Sequence, residues 1–241
     1  MDEKIVLITG KNHEINVSLA EKLISQNIKV AYFIDDKDSF RDPRLSDSNK
    51  SRVFRCDFNK EEELEKARDK INETFGKVDR IIFSQKERIQ KPFLQIEEDE
   101  WDYVYQTTLQ DYFFLVKIFT ETMVAQGIHG KILCISNTSC VVPRKKISCY
   151  SSAFAAQALL DSSLSIELAK RNITLNTICI NSEEQFEEYD KNDITHNDSL
   201  QPFVTMETLE KIVLSLFSDI WNELTGKKIL VDSGEILGDI G

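Results

Sequence analysis

Seven short apolar runs recur along this chain: KIVLIT (4–9), KVAYFI (29–34), RVFRC (52–56), RIIFS (80–84), KILCIS (131–136), TLNTICI (174–180) and KKILVD (227–232). Each has the length of a strand buried on both faces. Between them lie longer stretches, residues 17–26, 61–76, 97–126, 152–171 and 206–226, whose apolar positions repeat at helical spacing. Strand alternating with helix predicts βαβ units, and hence an α/β fold: a doubly wound, mostly parallel sheet of seven strands with helices on both faces. Such sheets bind ligands beyond the carboxyl ends of their strands, so the loops there are where chemistry is to be sought.

Composition narrows the field. The chain of 241 residues, 41% hydrophobic and 29% charged, suits a single domain over 1–241. Its longest polar stretch near the start, DDKDSFRDPRLSDSNK (35–50), is too short to separate two domains and reads as a surface connection. A formal net charge of −11, from 41 acids against 30 bases, sets a field that repels polyanions, so nucleic acid is not an expected partner. The opening MDEKIVLITG has neither the shape of a signal peptide nor the length to span a membrane, and the expected location is the cytoplasm. Cys56, Cys134, Cys140, Cys149 and Cys179 lack CxxC spacing, and His13, His129 and His196 lack a metal-ligand spacing. Reduced thiols and no metal are expected.

The pieces LITG (7–10), CDFNKEE (56–62), KVDRII (77–82), EEDEWDYVYQTTLQDYF (97–113), GKILCIS (130–136), YSSAFAA (150–156), ELAKRNITLNTI (167–178) and LTGKKILVDSG (224–234) follow one another in a telling order. In that order and spacing the whole chain resembles the short-chain dehydrogenases/reductases, NAD(P)-dependent enzymes with a Rossmann-type fold. The resemblance implies a phosphate cradle TGxxxGxG after the first strand, and the chain offers TGKNHEIN. Thr9 and Gly10 are kept, while Glu14 and Asn16 stand at the later glycines, where backbone N–H groups approach a pyrophosphate. A carboxylate about 4 Å from a phosphate charge costs about 1 kcal/mol in water and about 4 kcal/mol near a protein surface. The loss of affinity then reaches roughly a thousandfold, unless Glu14 turns to solvent and binding survives weakened.

The resemblance also assigns Gly10 and Asp57 to cofactor binding. Asp57 falls where the family touches the adenine amino group, though a carboxylate after a strand serves equally as a turn or helix cap. At the ribose position the alignment places Ile34, with Asp35 one residue further and therefore on the opposite face. The family's Asn-Asn-Ala-Gly after the fourth strand is replaced by Phe83, Ser84, Gln85 and Lys86, and only eight glycines occur in the chain, so the close-approach sites are filled.

The family's catalytic Asn, Ser, Tyr and Lys fall on Thr108, Asn137, Tyr150 and Phe154. The tyrosine alone is kept. A tyrosine without a nearby cation titrates near 10, leaving about one in a thousand as phenolate at neutral pH, and lowering that value by three units needs about 4 kcal/mol. Phe154 supplies none, and Lys145 and Lys146 read as a basic surface loop. Asn137 retains a hydrogen bond for an oxyanion. The segment 181–203, which in the family supports the nicotinamide and closes over substrate, is strongly acidic here and reads as a solvated loop.

The scaffold, by contrast, is kept. In the family, the long helix before the fifth strand and the helix of the tyrosine pair with their copies in a second subunit. Here Ala153, Ala155, Ala156 and Ala158 permit close packing, and Phe113, Phe114 and Phe119 supply bulk. Two readings follow. In the first, this is a non-catalytic subunit, structural or regulatory, of a dimer or tetramer with a homologous active short-chain dehydrogenase acting on acyl-CoA or similar hydroxy/keto substrates; no cofactor is then expected on this chain alone. In the second, it is an active oxidoreductase using NAD or NADP around Tyr150 and Asn137.

Overall fold

The first apolar run forms strand β1 (Ile5–Thr9), every residue of which is buried, as a strand covered on both faces requires. The computed structural model describes residues 4–85, 89–142, 145–181 and 204–234. In it β2 (Lys29–Asp35), β3 (Ser51–Cys56), β4 (Arg80–Ser84), β5 (Lys131–Asn137), β6 (Thr174–Ile180) and β7 (Lys228–Val231) follow the predicted runs to within a residue. The seven strands form one sheet in the order β3-β2-β1-β4-β5-β6-β7, and every neighbouring pair is parallel. The mostly parallel sheet expected from the pattern is thus wholly parallel.

Alternate side chains of the strands feed two cores, except in β7 at the sheet edge, where Ile229 and Val231 pack on one core and Lys228 and Leu230 are exposed. Ile5, Leu7, Phe33, Ile81 and Cys134 pack under α2 (Glu61–Phe75), α4 (Asp111–Gln126) and α5 (Ser148–Ala169). Val6, Ile8, Tyr32, Ile82 and Leu133 pack under α1 (His13–Ser25) and α6 (Met206–Leu216). Each fully buried aliphatic side chain of this kind contributes about 1.5–3 kcal/mol. Phe119, expected with Phe113 and Phe114 on an outward face, belongs to the first core, with its ring 6.1 Å from Phe33. Phe113 is exposed and Phe114 half-buried.

Two predicted helices differ. The stretch 97–126 begins as α3 (Glu98–Tyr105), passes through a π turn (Gln106–Gln110) and continues as α4. The cause lies elsewhere in the chain: Gln85 Nε2 donates to the Thr107 carbonyl at 2.6 Å and Gln157 Nε2 to the Thr108 carbonyl at 3.2 Å, drawing both out of the regular helical ladder. The stretch 206–226 is helical only to Leu216, because Lys131 Nζ donates to the carbonyls of Leu216 (3.2 Å) and Ser218 (2.6 Å) and so caps the helix. A short 3₁₀ turn (Asp219–Trp221) follows.

The chain leaves β1 toward β2 on one side, while β4 lies on the other. That reversal opens the crevice where a doubly wound sheet takes its ligand.

Candidate functional site

The crevice begins at Gly10, whose φ of 100° favours glycine. A Cβ there would lie 1.9 Å from the Ser84 carbonyl oxygen, so the backbone of the loop runs hard against β4. Asn16 occupies the last glycine position of the cradle. It is fully buried; its Nδ2 donates to the carbonyls of Thr9 and Gly10, both at 3.1 Å, and its Oδ1 accepts from Ser84 Oγ at 2.7 Å. The loop's own N–H groups are engaged as well. Lys11 N donates to Gln85 Oε1 at 2.7 Å, Asn12 N donates to the Ser84 carbonyl at 3.2 Å, and Asn12 Oδ1 caps α1 by accepting from Ile15 N. Glu14 is exposed on the first turn of α1. The obstacle is therefore the pair of carboxamides at Asn16 and Gln85, and the carboxylate points to solvent.

What remains between Thr9, Gly10, Phe33, Gln85, Thr107 and Asp111 is a cavity of ≈ 10 Å³. That is about the room one water needs, against several hundred Å³ (roughly 300–1,000) for a typical small-molecule site. Asp35, Asp38 and Asp111 also line it, with Lys11 as the cation among the lining residues. Burial pushes the Asp111 carboxyl up to about 6, against the opposing hydrogen bond from Gln106. Beyond the end of β2, His13 stacks on Phe40 with centroids 3.9 Å apart and its Nε2 lies 2.9 Å from Asp38 Oδ2. Among the described residues, those of the cradle leave no open space for a pyrophosphate in this arrangement.

Asp57 lies in the turn before α2. Its Oδ1 accepts from the backbone N and the Nδ2 of Asn59, both at 3.0 Å, and from Lys37 Nζ at 3.2 Å. The bonds from Asn59 hold its carboxyl well below the usual range, and the lysine adds to this. Asp35 Oδ1 accepts from Lys37 N and Oδ2 from Phe58 N.

Asn137 closes β5 and is buried. Its Oδ1 accepts from Ser139 N at 2.7 Å, capping a 3₁₀ turn (Thr138–Cys140). Tyr150 is the third residue of α5 and is 1% exposed. Its ring meets that of Phe154 at 4.2 Å between centroids, inclined by 45°. Ile147 completes this apolar cluster, and Cys140 packs against it. One turn beyond Phe154, the buried Gln157 reaches the Thr108 carbonyl. Positions 150, 154 and 157 share one helix face, the signal by which Gln157 was open to sequence reasoning. Gln85 was visible in the sequence as one of the residues that replace the family's Asn-Asn-Ala-Gly, but its partners Lys11 and Thr107 were not. Lys145 and Lys146 are exposed ahead of α5. Lys86 and nearly all of the acidic segment 181–203 lie outside the described residues. Among the described residues, no helix is long and apolar enough to cross a membrane.

A wholly parallel seven-stranded sheet, a crevice at its switch point and a tyrosine opening the helix after β5 define a Rossmann-type oxidoreductase scaffold. The chain belongs to the short-chain dehydrogenase family, whose model matches residues 4–182. It is 24% identical to the uncharacterized oxidoreductase YohF of Escherichia coli K12, over 98% of this chain and 97% of that protein. To the 3-oxoacyl-[acyl-carrier-protein] reductase FabG of Buchnera aphidicola it is 25% identical, over 96% of this chain and 97% of that one. Its fold matches that of sorbitol-6-phosphate 2-dehydrogenase SrlD from Erwinia amylovora with a TM-score of 0.81 at 21% identity, covering 96% of this chain and 98% of the other. These relatives carry the names of oxidoreductases, and that kinship favours an active enzyme over a non-catalytic subunit. The side chains in this chain's own crevice weigh the other way.

Proposed function

We propose that this chain is a short-chain dehydrogenase scaffold without hydride-transfer activity of its own, serving as a structural or regulatory subunit beside an active homologue. The observation that carries the reading is Phe154, fully buried and stacked on Tyr150 where the family's chemistry uses a lysine. An apolar ring there puts no positive charge at the position from which the family's proton relay draws its cation. The packed crevice supports the same reading from the cofactor side.

The subunit role draws on the outward face of α5. Ala153 and Ala158 point inward, and Ala155 and Ala156 are half-buried. Leu159 and Ile166 are 65% and 73% exposed, and Phe113 of α4 is 39% exposed. Covering a large aliphatic side chain of this kind gains up to about 1.5–3 kcal/mol. The reading assumes the cytoplasm as its compartment and a homologous subunit as partner. The FabG relative's name supports a keto or hydroxy acyl substrate for the complex.

The second reading is an active NAD(P)-dependent oxidoreductase built around Tyr150 and Asn137, and the names of the relatives favour it. Titration calorimetry of the purified chain with NADH and with NADPH separates the two. The first reading expects dissociation constants weaker than about 1 mM; a low-micromolar constant sinks it. Under the second, Tyr150→Phe removes at least about a hundredfold of a measurable activity. Under the first there is no such activity to remove.

A further inference from the structure

Cys179 is the sixth residue of β6 and pairs in register with Ser136 of β5. Cys140 ends the 3₁₀ turn that follows β5. This topology brings the two sulfurs to 3.2 Å, though the residues are far apart in sequence. A disulfide places them about 2.05 Å apart, so bond formation needs a shift of only about 1 Å. Four of the five cysteines are buried and Cys140 is half-buried, so it is the one a small oxidant reaches.

We propose that Cys140 and Cys179 form a redox pair, a dithiol that a hydroperoxide converts reversibly into a disulfide. The inference stands on the sulfur geometry and is independent of whether the chain transfers hydride.

The chemistry of the two thiols is suitably unequal. The hydrogen bond shared with Cys179, together with Ser136 and the charge of Lys228, holds the Cys140 thiol below its ordinary range. The same bond and burial push Cys179 up. Burial likewise raises Cys56 to about 12, and it raises Cys134 and Cys149. Cys140 is therefore the nucleophile and Cys179 the resolving thiol. The Cys140 thiolate attacks the peroxide oxygen and breaks the O–O bond, giving a sulfenic acid and, after protonation, water. The Cys179 sulfur then attacks Cys140 Sγ, expelling hydroxide, which takes up the Cys179 proton and leaves as a second water. Two thiols give up two electrons and the peroxide accepts them. A dithiol reductant reverses the bond by exchange.

The position gives the reaction a consequence. Cys140 packs against Ile147, Tyr150 and Phe154, so the bond ties the turn beside Tyr150 to the end of β6. Closing a loop of about 40 residues raises the melting temperature of the oxidised chain by about 8–16 °C.

The test is peptide mapping of the full chain after treatment with hydrogen peroxide at a small molar excess, with excess peroxide removed and free thiols alkylated as the chain is denatured. The expected product is a single cross-linked peptide pair carrying Cys140 and Cys179, lighter by two hydrogens and restored by dithiothreitol. In Cys179→Ala the sulfenic acid at Cys140 should persist and be trapped by dimedone; the wild-type map decides the matter if that variant does not fold. The proposal is overturned if both thiols are recovered alkylated after the peroxide treatment, if Cys140 runs on to sulfinic acid unpaired, or if the cross-link joins other cysteines.

Discussion

Replacing Phe154 by lysine restores the residue type that the family places there, and the structure predicts that it damages the fold without restoring activity. Phe154 has no exposed surface and packs on Tyr150 at 4.2 Å and on Ile147. Deleting a buried phenylalanine side chain costs about 3–5 kcal/mol, and an ammonium in the same apolar cluster adds a desolvation penalty of several kcal/mol, part of which the lysine stem recovers by reaching outward. A net loss of about 5 kcal/mol is a large part of the roughly 5–15 kcal/mol that holds a domain together. At about 2–4 °C per kcal/mol for a chain of this size, the melting temperature should fall by about 10–20 °C. Phe154→Leu, which keeps the cluster apolar, should cost about 1–1.5 kcal/mol and serves as the control. Thermal melts and urea titrations of the three proteins measure this, alongside NADPH oxidation with a keto substrate. A lysine variant that melts with the wild type would show that position 154 opens onto polar space. One that oxidises NADPH would show that the crevice yields to a dinucleotide, and either result refutes the reasoning.

Leu159→Arg, at a position 65% exposed on α5, should leave the melting temperature of the monomer nearly unchanged and weaken self- or hetero-association by about thirtyfold or more in light scattering and co-purification; unchanged assembly would remove α5 from the interface. Asp161, buried, accepting from Tyr112 Oη and from Thr177 Oγ1 at 2.7 Å, is pushed by burial up to about 6. Because its folded value exceeds the unfolded value of about 4, the protonated form stabilises the fold fully below about pH 4, and that stability is lost as pH rises to about 6, at most about 3 kcal/mol. Urea midpoints of wild type and Asp161→Asn should therefore diverge across this window, and parallel curves would refute the assignment.

The strands were legible because parallel strands buried on both faces read as uninterrupted apolar runs, and each was found within a residue. The helix interiors were legible from their period. What could not be read was whatever depended on a partner distant in sequence. The end of α6 is set by Lys131, 85 residues away, and the π turn by Gln85 and Gln157, 22 and 49 residues from the carbonyls they take. At the site, the missing glycines were visible but their consequence was not. Charge at Glu14 looked like the obstacle, yet a residue on the first turn of a helix can turn outward, and Glu14 is exposed. Asn16, two residues on and facing the sheet, blocks the cradle by its volume and its hydrogen bonds.

A cradle that merely lost its ligand would leave backbone donors buried and unmatched, and such groups are rare in native proteins. Here two of the donors, the N–H groups of Lys11 and Asn12, have partners from within the chain, while the side-chain Thr9 Oγ1 and Asn12 Nδ2 stay buried without one. Gln85 accepts from the N–H of Lys11 and donates to Thr107, while Asn16 ties Thr9, Gly10 and Ser84 together. A dinucleotide entering the crevice must break both bonds of Gln85, at about 1–3 kcal/mol each when a buried group is left unsatisfied. That alone weakens binding by roughly thirtyfold to more than ten-thousandfold before the carboxylates that line the crevice are counted. The same bonds hold the carboxyl ends of β1 and β4 together. Side chains that fill the crevice thus contribute stability there, and under the proposed subunit reading that exchange costs the chain no activity of its own.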